Sequence, residues 1–480
     1  MTTSMGGGRQ GGKALPIQTG PGPRGTGSSR NVMVALVLVV VLVAVAALVQ
    51  RLTNPGGGDP LLWSLDGRTI AAGGSVRPTT WTTGPIVAIT RAREVTGYDA
   101  ATGRTVWTVP LPGGVCAASA RPAGSRVALQ YGRGSGSETA GRPGQCDRVA
   151  VLDLEAGTKV WERRIGADRT GRGQVVIAAG AVVVEYLYGT SAFGLTDGRP
   201  LWQADDTETD CSYEGLAGGR ELLAGRSCRG GDRIDRVHRL DPVSGRALWT
   251  YKVPAGYTVA SLPSSRPAVI GLRPTDRGSE LPWLFVALDA SGRRTAALET
   301  DRFAVNCSVA GRDLTRCTNV VVTDDTLYVR QSPGPDADAA GTAPVVALDL
   351  ATGRIRWTTD NPDGNHLFPI AMDGSRLIAA QPRTAGKGGR RPRLVAIDAA
   401  TGRIRIMWSL GNKADFWLRS SAHRTYSAGR LFLTKSLVTG KEEVAFRAYG
   451  DRSADDGSPA HAATAANTTA TPEATPKPTW

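Results

Sequence analysis

Val345-Val346-Ala347-Leu348-Asp349-Leu350-Ala351-Thr352-Gly353-Arg354-Ile355-Arg356-Trp357 is the stretch that decides the fold. It opens on an unbroken apolar run of strand length, the pattern of a strand buried on both faces. Asp-x-x-Thr-Gly is then turn chemistry: the carboxylate accepts from turn amides, and the glycine takes a positive φ without a Cβ clash. Arg354-Ile355-Arg356-Trp357 alternates with the period of a strand that has one wet and one buried face. The stretch reads as a hairpin, with an inner strand, a tight turn and an outer strand ending in an aromatic plug.

The hairpin recurs. Its turn glycines are Gly103, Gly157, Gly198, Gly245, Gly292, Gly353 and Gly402. They are spaced by about 50 residues, the length of a four-stranded propeller blade plus loops. Asp stands four residues before the glycine at Asp99, Asp153, Asp241, Asp349 and Asp398. The fifth copy has Asp289 three before, and the third shortens to Thr196-Asp197-Gly198. Trp stands four after it at Trp107, Trp161, Trp202, Trp249 and Trp357. The fifth copy has Ala296 there; the seventh has Ile406, with Trp408 two residues on and expected on the same strand face. Apolar runs such as Val182-Val183-Val184 and Leu327-Tyr328-Val329 supply the other two strands of each repeat.

One more spacing reaches Gly450, with Val444 to Tyr449 as a third strand and no outer strand after it. Leu61-Leu62-Trp63-Ser64-Leu65 carries the missing outer-strand pattern at the other end of the chain. The expected fold is therefore all-β: an eight-bladed β-propeller of four-stranded antiparallel blades, closed by N- and C-terminal segments sharing the last blade. A rival register turns the eighth blade at Val438-Thr439-Gly440; it lacks a Trp and ranks second.

The flanks differ in composition. Residues 1–31 are rich in Gly, Ser, Pro and Thr, carry Arg9, Lys13, Arg24 and Arg30, and read as a disordered cytoplasmic arm. Val32 to Val49 is an uninterrupted apolar run of about 27 Å as a helix, the thickness of bilayer hydrocarbon. Ala44-Val45-Ala46 imitates a signal-peptidase site, but the run continues past it, which favours a retained anchor over a cleaved signal. Segment 32–50 is thus expected to be one transmembrane helix. The basic excess before it puts the N-terminus in the cytoplasm and the propeller outside. Residues 51–60 form a tether, 61–451 the propeller and 452–480 a disordered tail, in which Asn467-Thr468-Thr469 fits a glycosylation sequon.

Six cysteines fall in three close pairs, Cys116 and Cys146, Cys211 and Cys228, Cys307 and Cys317, each inside one repeat. No Cys-x-x-Cys or finger-like His spacing accompanies them, so disulfides in an oxidising compartment are expected rather than zinc. A net charge of +14 suits an anionic partner, a lipid headgroup or cell-wall polymer, and equally a basic soluble surface.

The phased Asp-x-x-Thr-Gly-x-x-x-Trp motif, best seen from Asp99 to Trp107 and from Asp349 to Trp357, resembles the PQQ-like β-propeller repeat family. That family includes the BamB lipoprotein and the quinoprotein alcohol dehydrogenases. The resemblance covers residues 61–450 and implies that the tryptophans, Trp63 and Trp408 included, dock one blade on the next. Quinoprotein members hold PQQ with a disulfide between adjacent cysteines, a Trp platform, a calcium and an Asp base. This sequence has no adjacent cysteines, so no cofactor is expected.

No catalytic or metal site is assigned. His238, His366, His423 and His461 have no triad or metal spacing, and His238 reads as a structural residue on the inner strand of its hairpin. Asp324-Asp325 and Asp336-Ala337-Asp338 are too sparse for a calcium loop and read as solvated turns. The basic run from Lys387 to Arg393 is the best local candidate for a charged contact. The insertions 132–147 and 331–343, and the irregular fifth and seventh repeats, are where a site would break the symmetry. The expected function is that of a membrane-anchored extracytoplasmic binding or scaffolding module, with an envelope protein or anionic cell-wall polymer as partner and no nucleic acid. The alternative is a cofactor-dependent oxidoreductase or a carbohydrate-active propeller enzyme.

Overall fold

The computed structural model describes residues 60–72, 74–132, 146–165, 173–186, 189–205, 211–228, 233–276, 278–300, 306–307, 314–315, 317–330, 344–360, 366–383, 390–419 and 422–451. Eight four-stranded antiparallel sheets follow one another along the chain. Blade 1 is Thr80–Thr83, Ile86–Thr90, Glu94–Asp99 and Thr105–Pro110, hydrogen-bonded in that order. Blades 2 to 7 repeat the meander over 114–164, 175–205, 211–252, 257–300, 320–358 and 368–409. Blade 8 joins His423–Ser427, Arg430–Thr434 and Phe446–Tyr449 to Leu61–Leu65 from the other end of the chain.

That last pairing sets Leu61 opposite Tyr449 and Leu65 opposite Phe446, so the N-terminal strand is the outer strand of the last blade. The register through Val438-Thr439-Gly440 is excluded: Val438 bridges to Val76 in the loop before blade 1.

The apolar runs are explained by the packing. Second and third strands such as Ile86–Thr90 and Arg393–Asp398 are buried along almost their whole length, because a neighbouring blade covers each face. Outer strands such as Thr105–Pro110 have one wet face and are largely exposed. A buried core lies between each pair of successive blades. The one between blades 8 and 1, with Ile70, Val87, Tyr98, Phe432 and Phe446, closes the ring.

The two ends of the ring differ. At one, here the hairpin end, lie the tight turns from inner to second strand and from third to outer strand. At the other, the connection end, lie the second-to-third loops and the blade-to-blade crossings. The insertions 132–147 and 331–343 join second to third strands and so belong to the connection end; 133–145 and 331–343 lie outside the described residues. The Val32 to Val49 run also lies outside them, and among the described residues no helix is long and apolar enough to cross a membrane.

Candidate functional site

The repeated Asp, Gly and Trp form one joint, used around the ring. In the five regular turns the aspartate accepts from the amides two and three residues on; Asp349 Oδ1 takes Ala351 N (3.0 Å), Thr352 N (2.8 Å) and the Thr352 hydroxyl (2.9 Å). Asp99, Asp153, Asp241 and Asp398 make the same turn-amide bonds. The glycine at its end has positive φ, +70° at Gly353 and +73° at Gly402. The tryptophan of the preceding blade lies flat against it. A methyl built on Gly103 would come within 2.5 Å of Trp63, and on Gly157 within 2.3 Å of Trp107. Gly198, Gly245, Gly292 and Gly402 stand in the same way against Trp161, Trp202, Trp249 and Trp357. At four of these joints the indole N–H donates to the carbonyl at the start of the turn: Trp63 to Ala100 (3.1 Å), Trp161 to Leu195 (2.9 Å), Trp202 to Pro242 (2.9 Å) and Trp357 to Ala399 (2.8 Å). Trp107 and Trp249 Nε1 are buried without a partner among the described residues.

The two irregular repeats have separate causes. In blade 5 Ala296 leaves Gly353 uncovered, with the nearest atom 3.5 Å from an added methyl. The neighbouring Thr295 hydroxyl takes over the donor role, reaching Leu350 O at 2.7 Å. Blade 7 corrects an expectation. Ile406 and Trp408 do not share a face: they pair with consecutive residues, Val395 and Leu394, across a bulge. Trp408 packs towards blade 8 beside Tyr426, while Ile406 is turned to solvent. The reason lies in the closure: blade 8 has no third-to-outer turn, so no turn glycine awaits this Trp.

Cys116 and Cys146 are bonded within blade 2, and Cys211 and Cys228 face each other across the first two strands of blade 4. Cys317, also disulfide-bonded, sits opposite Cys307 in a two-stranded hairpin between blades 5 and 6, outside the blade sheets rather than inside a repeat. His238 lies in the third strand of blade 4, its Nδ1 3.1 Å from the Thr250 hydroxyl. Burial, with Arg226 and Arg236 nearby, lowers its pKa and so favours the neutral ring over the charged one. Asp324 and Asp325 diverge: Asp324 pairs with Arg220 (2.6 Å) and Asp325 with Arg356 (2.9 Å). Asp336 and Asp338 lie outside the described residues. Among the described residues no group of three or more His, Cys, Asp or Glu is placed to hold a metal.

At the connection end, blades 6 to 8 bring cations onto aromatic faces. Phe368, where the inner strand of blade 7 begins, has Arg330 of blade 6 at 5.2 Å and Arg424 of blade 8 at 5.1 Å from its ring centre. Trp417, on the short helix Ala414–Arg419 between blades 7 and 8, has Lys435 at 5.7 Å and Arg447 at 5.6 Å. Distances of this size are those of cation–π contacts. Arg424 also donates to Asn319 Oδ1 (3.3 Å), and its enclosure lowers its pKa to about 10. Arg447 is only 9% exposed; it donates to the Tyr449 hydroxyl (3.2 Å), and its Nε has no partner. Neither Lys435 nor Arg447 has an ion-pair partner among the described residues. Exposed Arg390 and Arg391, from the basic run, flank the same end at the third strand of blade 7; 384–389 lie outside the described residues. The run was legible in the sequence. The aromatic platforms were not, because the cations on Phe368 come from blades 6 and 8 and those on Trp417 from later in blade 8.

Ring, joints and motif define a PQQ-like repeat propeller. The chain belongs to the family described as outer membrane protein assembly factor BamB, whose model matches residues 46–186, 94–359 and 283–461. No curated protein matches it. Among solved structures it is similar to BamB from Moraxella catarrhalis (15% identity, 79% of this chain and 96% of that one, TM-score 0.45). It is also similar to the computationally designed Ika8 protein (12% identity, 82% and 100%, TM-score 0.52). A third likeness is to a quinohemoprotein alcohol dehydrogenase from Pseudomonas putida HK5 (12% identity, 82% and 77%, TM-score 0.44).

A bound quinone does not fit the residues seen here. The two disulfides described in full join cysteines 30 and 17 residues apart, not neighbours, and offer no adjacent-cysteine platform. The repeat tryptophans spend their faces on turn glycines between blades.

Proposed function

We propose that this protein is a membrane-anchored, extracytoplasmic propeller that binds and positions an anionic partner in the cell envelope, using the connection end of blades 6 to 8. The observation that carries this reading is the cation–aromatic platform around Phe368 and Trp417. Guanidinium groups held on ring faces are already oriented, so less side-chain entropy is lost when they meet a carboxylate or phosphate. Family membership supports a role in assembly rather than chemistry, since the family is described by an assembly factor. Disulfides support an oxidising compartment, and the apolar Val32 to Val49 run supports the anchor.

The test measures binding of the full chain to polyglutamate and to long-chain polyphosphate over a range of salt. The expected affinity falls steeply as salt screens it, and drops further in Lys435→Ala and in the exposed Arg390→Ala and Arg391→Ala. Absent or salt-insensitive affinity would remove the anionic-partner reading. Crosslinked pull-down from envelope membranes should return one reproducible partner. Protease protection in intact cells should place the propeller outside, and deleting 32–50 should release it from the membrane.

A further inference from the structure

A cavity of about 510 Å³ opens at the hairpin end, opposite the cation–aromatic platform. The inner-to-second turns of blades 2 to 6 line it, joined by Thr315 from the crossing between blades 5 and 6. Leu262 N donates to Leu314 O (2.8 Å), which carries that crossing down to the cavity wall. The volume is that of a small-molecule pocket rather than a water site.

Its charge is unbalanced. The lining holds three guanidinium groups, Arg121, Arg220 and Arg266, against one carboxylate, Asp324. Arg220 is taken by Asp324 at 2.6 Å, a pair that ties blade 4 to blade 6 across the turn of blade 5. Arg266 lies 3.6 Å from Glu221, which also holds Arg239 at 3.0 Å. Arg121 has no hydrogen-bond or ion-pair partner among the described residues. It is open to solvent, yet protein atoms crowd it enough to lower its pKa below the ordinary guanidinium value. Its place in the cavity is given by the lining itself, where it stands between Ser119 and Ala123 on the turn of blade 2.

The remaining wall is mixed. Ile177, Leu262, Pro263 and Val322 supply apolar surface. The Ser119 hydroxyl accepts Ala128 N (3.1 Å), which leaves its own hydrogen to donate. A guanidinium recognises a carboxylate through two parallel N–H donors, and the apolar wall suits the body that carries it.

We infer that this cavity is a binding site for a small organic carboxylate, with Arg121 as its anion anchor and the hairpins of blades 2 to 6 as its wall. The site is separate from the polymer-binding platform, and the two fail independently.

The experiment titrates the detergent-solubilised full chain by calorimetry with D-glucuronate and benzoate, and with glucose and benzyl alcohol as neutral counterparts. The expected result is saturable binding of at least one carboxylate with Kd below about 1 mM and none of its neutral counterpart. Arg121→Ala weakens it by about tenfold or more, Arg121→Lys by less, and Lys435→Ala leaves it unchanged. Protection of Arg121 from phenylglyoxal by the bound carboxylate, read by peptide mass spectrometry on the unmutated chain, decides the matter if Arg121→Ala does not fold. The inference is overturned if neither carboxylate binds, if the neutral counterparts bind as well, if Arg121→Ala binds as tightly, or if Arg121 is not protected.

Discussion

Gly157 has φ +64° and a Trp107 ring atom 2.3 Å from where its Cβ would stand, whereas Gly353, at +70°, has nothing nearer than 3.5 Å. Alanine at either position meets left-handed strain of about 1–2 kcal/mol. At Gly157 it must also push a packed indole aside, so the total loss there is about 3 kcal/mol or more. Urea titration of the two variants should show that gap, and equal losses would mean the rings do not lock the turns. Charge at this scale sets the acid limb. The Arg356 guanidinium, then Thr352, holds the Asp349 carboxyl well below the usual carboxylate range, and Ser291 and Arg293 hold Asp289 down at about 2. Carboxyls whose folded pKa is depressed contribute stability above their unfolded value of about 4, and lose it as pH falls through the folded value. His238 is also depressed, so its neutral form favours the fold and stability starts to slip below about pH 6.5. Denaturant midpoints should therefore be level from about pH 7 to 8, decline gently below about 6.5, and fall steeply from about 4 towards 2. A midpoint unchanged down to about pH 3 would contradict this.

Among the elements, the hairpin carries most of what the sequence declares. Its turn and its outer-strand plug are local chemistry, so they are readable wherever the pattern is kept. Where it breaks, the pattern marked blade 5 as irregular and put Trp408 of blade 7 on the wrong face. Thr295 replacing an indole N–H as donor to Leu350 O depends on a partner 55 residues away. Thr295→Val keeps the shape and removes that donor, leaving a part-buried carbonyl unmatched at a cost of about 1–2 kcal/mol. Thr295→Ser should retain most of the stability; if serine and valine are equally damaging, the hydroxyl is not what matters. The bulge in blade 7 was hidden for a different reason. It answers the absence of a turn in blade 8, which no residue near Trp408 records.

For the whole molecule, closure rests on Leu61–Leu65. Trp63 contacts Phe446 in its own blade at 4.8 Å and Tyr98 in blade 1 at 5.7 Å, and covers Gly103. Trp63 is half-buried, so Trp63→Ala should cost about 3 kcal/mol, the low end for large packed aromatics. Starting the chain after Leu65 removes the outer strand as well and exposes the edge of Phe446–Tyr449 to pairing with other chains. A shortened chain that stays monomeric with an unchanged melting temperature would show that the ring does not need this strand.

The sequence by itself determined the blade count, the shared last blade and the role of the phased tryptophans, because each follows from a motif whose spacing repeats what packing requires. Tertiary structure alone decided where cations gather and where a cavity opens. Arg220 meets Asp324 across 104 residues and Arg424 meets Asn319 across 105. Such meetings depend on how closely the inner strands approach across the channel and on which loop lies over its neighbour. Neither quantity leaves a mark on any single stretch of chain.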